Sequence, residues 1–216
     1  VNTVICILIY MKTIAIISRK GGAGKTTLAV HLAVAATIDG REAAIIDLDP
    51  QASAAGWGDS RTVETPAVVS AQAARLPKVL SAAADNGADI VFIDTAPHSE
   101  TAALAAIRAS DLILIPCRPA ILDLRAISDS IDLVKLANKT ATVVLNAVPP
   151  RGSSSSEATE AISTYGVAVA PIQIGQRAAF VHSLTAGQTA QEYEPSGRAA
   201  EEIQQLYKWM CKQVKL

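Results

Sequence analysis

The run Arg19-Lys20-Gly21-Gly22-Ala23-Gly24-Lys25-Thr26-Thr27 concentrates residue types suited to a phosphorylated ligand. Glycines let backbone N–H groups curl around an anion without Cβ clashes, and a helix that opens at such a turn adds the positive end of its dipole. In this pattern Lys25 reaches the β- and γ-phosphates, and the Thr26 hydroxyl oxygen reaches Mg2+. The bland alternative is a glycine-rich strand-to-helix turn with no ligand. A second acidic group, Asp47-Leu48-Asp49-Pro50-Gln51, ends an apolar run. Residues two apart on an extended chain face the same way, so both carboxylates can address one site. Carboxylates at a strand end can also simply cap a helix. The third group is Ile90-Val91-Phe92-Ile93-Asp94, followed by Thr95-Ala96-Pro97. Four apolar residues closed by a carboxylate form a weak pattern alone, but here it comes third in the right order and assigns Asp94 to Mg2+.

Strands and helices must alternate to position these groups. β-Branched runs predict strands at 13–18, 43–48, 89–94, 111–115, 141–146 and 167–172. Helical patterns cover 27–39 (closed by Gly40), 70–86 (kinked or split near Pro77), 99–109, 122–137, 157–165, 176–186 and 196–214. Residues 149–156, PPRGSSSS, read as a loop. Continuous apolar strands alternating with helices imply an α/β fold: a doubly wound, mostly parallel sheet with helices on both faces.

The chain of 216 residues suits one domain, and half of it is hydrophobic, enough for a sizeable core. Aromatics are only 4% against 40 alanines, so Ala, Val, Ile and Leu must build that core. A net charge of −1 excludes a globally basic nucleic-acid binder, though not a local basic patch. Cys6, Cys117 and Cys211 are scattered, with no C-x-x-C pair, which speaks against a disulfide framework, a zinc finger or a cluster held within one chain. Residues 1–10 are apolar but lack the basic start and small-residue cleavage site of a signal peptide, and Lys12 breaks the run too early for a membrane span. They are expected to be an extension from an upstream translation start, or an extra edge strand, ahead of a single domain over 11–216.

The phosphate loop departs from G-x-x-x-x-G-K-[ST] by carrying Arg19 at the first position and Lys20 beside the double glycine. In this it resembles the deviant Walker A family of ParA- and MinD-type ATPases, K-G-G-x-G-K-[ST], and the likeness runs from Met11 to the C-terminus. The resemblance implies an ATP- and Mg2+-dependent homodimer in which Lys20 crosses to the partner's nucleotide, by the logic of an arginine finger. The alternative for Lys20 is a solvated surface lysine. D-x-D-P-Q matches the family's second motif, implying that Asp49 orients or activates the attacking water and that Asp47 supports the Mg2+ shell. Thr95-Ala96-Pro97 resembles its γ-phosphate-sensing switch. Ile115-Pro116-Cys117-Arg118-Pro119 with Asp123 resembles a later stretch, and Asn146 stands where the family places an adenine-contacting asparagine. An Asn at a strand end is otherwise an ordinary turn residue.

Within this group, ParA-type proteins bind nonspecific DNA and work with a ParB-like centromere-binding adaptor, whereas MinD-type proteins bind membrane through an amphipathic helix. Few residues precede Met11, so the resemblance is to the small ParA form without a helix-turn-helix domain. Ile203, Leu206, Tyr207, Met210 and Val214 make a helical stripe, expected to dock on the core rather than on lipid, so no stable membrane association is expected. Arg177, Lys208 and Lys212 are the candidate DNA-phosphate contacts, against the bland reading of charges on a solvated face. These features imply a cytoplasmic partition ATPase, associated with the nucleoid in its ATP state. The alternative is a MinD-like or protein-cargo-positioning ATPase.

Overall fold

The computed structural model describes residues 11–216; the expectation for residues 1–10 lies outside them. Seven parallel strands form one sheet in the order β3-β2-β4-β1-β5-β6-β7. They are β1 Lys12–Ile16, β2 Ala43–Asp47, β3 Ala67–Ser70, β4 Ile90–Asp94, β5 Leu112–Cys117, β6 Thr142–Leu145 and β7 Ala168–Val169. The helices are α1 Lys25–Ile38, α2 Ser53–Asp59, α3 Leu76–Asp85, α4 Glu100–Ala109, α5 Ile121–Leu136, α6 Ser154–Ser163, α7 Ala178–Thr185, α8 Ala190–Tyr193 and α9 Arg198–Val214.

The period-2 alternation of each strand divides the apolar residues between two cores. Ile14, Ile16, Ile90, Phe92, Leu114 and Val144 face α1, α2, α7, α8 and α9. Ala15, Val91, Ile93, Ile113, Ile115, Val143 and Leu145 face α3 to α6. Both faces are covered, so the central strands are apolar throughout, as the sequence led us to expect. The Ala29, Ala33 and Ala36 side chains of α1 are completely buried, consistent with close approach of helix to sheet.

One local expectation is corrected, and two helices appear where the sequence patterns assign none. Residues 53–59 (SAAGWGD), which the sequence patterns leave unassigned, form α2, whose Trp57 is buried in the first core. Residue 70 was placed in a helix but closes β3, paired with Asp47, and Pro77 then sits in the first turn of α3, where its missing N–H costs nothing, rather than at a kink. The short α8 carries a capping box: the Thr189 side chain and backbone meet the Glu192 carboxylate. The T-x-x-E signal for it was present in the sequence.

Candidate functional site

β1 lies at the sheet's centre, between β4 and β5, where the strand order reverses. In open α/β sheets ligands bind at the carboxyl ends of strands beside such a switch point. The loop from Arg19 to Gly24 leaves β1 there and opens α1. Gly22 and Gly24 adopt left-handed φ values of 71° and 98°. Gly24 is doubly constrained, because a Cβ there would run into the Asn146 side chain. That side chain closes β6 and donates from Nδ2 to the Ala23 carbonyl oxygen, 2.8 Å away, bracing the loop from behind. The first intrahelical acceptor of α1 is the Gly24 carbonyl, taken by Leu28, so the amides of residues 25–27 point out of the helix end toward the loop.

The two lysines of the loop occupy different environments. Lys25 is buried, its Nζ 3.4 Å from the Lys20 carbonyl oxygen. Burial lowers its ammonium below the ordinary lysine range, against the opposing pull of Asp94 and Asp49. Lys20 is one-third exposed, and its Nζ lies 2.6 Å from Oδ2 of Asp123 on α5. Arg118, between β5 and α5, donates from Nε and Nη2 to the Gly22 carbonyl oxygen. Arg19 is drawn outward to Glu100, 2.7 Å away.

Parallel pairing of β1, β2 and β4 sets Asp94 beside Ile16 on one side and Asp47 on the other. The Thr26 hydroxyl donates to Asp94 Oδ2 at 2.6 Å, while Asp94 Oδ1 is buried with no hydrogen-bond partner among the described residues. Burial pushes the Asp94 carboxyl up to about 7; the Thr26 hydrogen bond and Lys25 oppose the rise, and Asp47 and Asp49 add to it. An unpartnered buried carboxylate oxygen next to a threonine hydroxyl and an anion-binding loop fits a divalent cation.

Asp47 is otherwise engaged. Its Oδ1 accepts from the Asp49 amide, and its Oδ2 from the amides of Ala54 and Ala55 at the start of α2. The Asp47 carboxylate thus holds the first amides of α2, as the helix-capping alternative has it. Among the described residues no group of three or more His, Cys, Asp or Glu could hold a metal ion by itself. Asp49 is half-buried, and its Oδ1 accepts from the Gln51 amide. It also lines a groove of about 1460 Å³ between β2, β3, α3 and α4. No loop residue from Lys20 to Thr27 lines that groove, which borders the phosphate site through Asp49, Ala96 and Pro97.

The proposed DNA contacts lie elsewhere. Arg177 forms a two-pronged pair with Glu202 of α9, which also accepts from the Gly175 amide, so its charge is matched internally. Lys208 and Lys212 are exposed on α9. The apolar stripe of that helix is buried, from Ile203 at 0% to Val214 at 7% exposure. Tyr207 reaches Asp39 at the end of α1, 3.1 Å away.

Two features escaped the sequence. His31 on α1 accepts at Nε2 from the Ala190 amide, which fixes its proton on Nδ1, facing the Thr27 carbonyl oxygen 2.7 Å away. Arg61 stacks over Trp57, and its guanidinium binds Glu192, joining the end of α2 to α8. The partners are 131 residues apart, beyond any local signal.

A glycine loop at the switch point, a lysine beneath it and a Thr–Asp pair beside it define a phosphate-loop nucleotide-binding protein on a doubly wound sheet. The chain belongs to the CobQ/CobB/MinD/ParA nucleotide-binding domain family, whose model matches residues 14–190. It is 35% identical over 158 residues to the maintenance of carboxysome distribution protein A of Gloeobacter kilaueensis, covering 72% of this chain and 71% of that protein. The protein of the same name from Halothiobacillus neapolitanus is 31% identical over 204 residues, covering 90% of this chain and 94% of the relative. A chromosome partitioning protein ParA from Caulobacter vibrioides is 36% identical over a shorter stretch, 51% of this chain and 49% of that protein. Among solved structures, apo McdA from Cyanothece shares the fold with a TM-score of 0.77 at 17% identity, covering 93% of this chain and all of that one. MinD from Pyrococcus horikoshii, solved with Mg-ADP, gives 0.75 at 20% identity over 94% of this chain and 97% of its own.

Proposed function

We propose that this chain is a Mg2+-dependent ATPase that dimerises around ATP, binds nonspecific DNA in that state and positions a cargo along it. The observation that carries this reading is the division of labour between the loop lysines. Lys25 is buried under the loop, whereas Lys20 is partly exposed and held by a side chain outside it. A lysine so placed serves a second nucleotide better than its own.

In this reading Gly21 to Thr27 hold the phosphates and Lys25 neutralises them. Asn146 braces the loop with its Nδ2 and meets the adenine with its amide oxygen. Thr26 and Asp94 hold the cation that structural neighbours carry with ADP. Bound there, Mg2+ supplies charge neutralisation between the phosphate oxygens. Asp49 accepts the proton of, or orients, the attacking water, and the partner's copy of Lys20 stabilises charge at the transferred phosphoryl group. Asp47 acts indirectly, fixing the Asp49 backbone and the start of α2.

The cargo reading is partition of a plasmid or chromosome through a ParB-like centromere-binding adaptor, in the cytoplasm and on the nucleoid when ATP is bound. A second reading, a protein assembly as cargo, is supported by two relatives that match 72% and 90% of this chain and 71% and 94% of their own length, both named for carboxysome distribution. The membrane alternative loses its main support, because the stripe of α9 is packed in the core; no described helix is long and apolar enough to cross a membrane.

Light scattering of the Asp49→Ala protein should show a dimer with Mg-ATP and a monomer with ADP. The ATP state should pellet with DNA and not with anionic liposomes. A fixed mass in every nucleotide state overturns the dimerisation reading, and pelleting with lipid alone overturns the DNA reading.

A further inference from the structure

The Lys20–Asp123 pair poses a problem for any lysine that must leave its own subunit. The Asp123 side chain is only 9% exposed, and Lys20 is its one hydrogen-bonded partner among the described residues. Its other oxygen, Oδ1, is buried with no hydrogen bond from any described residue. Withdrawing Lys20 would leave a buried carboxylate uncompensated, which is strongly unfavourable. A second cation stands beside it: Arg118 Nε lies 4.0 Å from Asp123 Oδ1, too far for a hydrogen bond, with the guanidinium engaged at the Gly22 carbonyl oxygen.

We propose that Arg118 is a positioning residue that takes over Asp123 when Lys20 leaves for the partner's nucleotide. The proposal rests on the trans role of Lys20 given above. The Arg118 side chain is 45% exposed and so has room to turn, and a movement of about 1 Å brings Nε into charge-assisted hydrogen-bond range of the unpartnered oxygen. Asp123 then keeps one cation in both states. In the monomer it holds Lys20 on its own subunit while Arg118 pins the Gly22 carbonyl; in the dimer it holds Arg118. The exchange lowers the cost of releasing Lys20 and couples that release to a change at the loop.

The test compares Arg118→Gln, Arg118→Lys, Asp123→Asn and the Arg118→Gln/Asp123→Asn double variant, each carrying Asp49→Ala to block hydrolysis. Binding of a fluorescent ATP analogue to dilute monomer is measured separately from the ATP-dependent dimer dissociation constant. Arg118→Gln should weaken the dimer roughly tenfold beyond any change in binding of the analogue to the monomer, and Arg118→Lys should recover most of the loss. Adding Asp123→Asn should restore dimerisation to Arg118→Gln, because a neutral side chain no longer retains Lys20. A purely structural role for Arg118 would not be rescued by a second change at Asp123. Unaltered dimerisation in Arg118→Gln, or failure of Asp123→Asn to rescue it, overturns the relay. Lys20→Ala measured alongside, with Asp49 intact, separates the two readings. If it turns over ATP like the parent, the trans role falls and the relay with it. If it is inactive while Arg118→Gln dimerises normally, the relay alone falls.

Discussion

The Asp47 carboxylate accepts the Ala54 amide at 2.9 Å, and through it the end of β2 fixes the start of α2. Two further amides, those of Asp49 and Ala55, converge on the same side chain, which is 1% exposed. Asp47→Ala would leave three N–H groups unpaired in a dry site, at a cost of about 3 kcal/mol. Urea unfolding should therefore show a large loss of stability. The Mg2+ affinity of the folded protein should change little. The opposite pattern, intact stability with lost Mg2+ affinity, would place Asp47 in the cation shell.

Lys25 and Lys20 should separate by assay. Lys25→Ala removes the buried cation beneath the loop and should weaken ATP binding by roughly 100-fold or more, an effect of about 3 kcal/mol. Lys20→Ala should bind ATP within a few-fold of the parent and lose turnover. Isothermal titration and phosphate release measure the two quantities independently. Equal loss of binding in both variants would place Lys20 in its own subunit's site.

His31 predicts an acid-sensitive fold. Burial holds its imidazole down at about 4, with the Thr27 carbonyl and Glu192 opposing. A group with a depressed folded-state value is bound less tightly by protons in the fold than in the unfolded chain. Its stabilising contribution is therefore complete above about pH 6.5 and is lost as pH falls toward 4. The loss is about 3 kcal/mol at the acid end. In urea titrations between pH 7 and pH 4, the parent should lose that much more stability than His31→Gln, which does not titrate.

The basic residues should not act alike. Arg177→Ala breaks the pair with Glu202 and should lower thermal stability with little effect on DNA affinity. Lys208→Glu with Lys212→Glu should weaken DNA binding by the ATP dimer while sparing the dimer itself. If both lysines contact phosphate, replacing them with alanine should flatten the slope of log affinity against log salt by about 2 per subunit. An unchanged slope would remove α9 from the DNA interface.

Much of this molecule was legible in its sequence because the signals are local. Strand, glycine loop and helix follow one another from residue 12 to residue 38, so the loop conformation depends on nearby φ values such as those of Gly22 and Gly24. The apolar run ending at Asp94 declared a buried strand with a carboxylate at its end, and parallel pairing put that end beside Thr26. The stripe of α9 announced a docked helix. What the sequence left open depended on distant partners. D-x-D offered two carboxylates, and only the fold brought the α2 amides to Asp47. Arg177 looked like any surface cation until the fold set Glu202 against it. Lys20 met Asp123 across 103 residues, and His31 met Ala190 across 159. Hydrophobic periodicity and turn chemistry act over a few residues and are written in the local order of the chain. The assignment of a charge or a buried polar atom to its partner is a property of packing, and it exists only once the sheet has closed and both faces are covered.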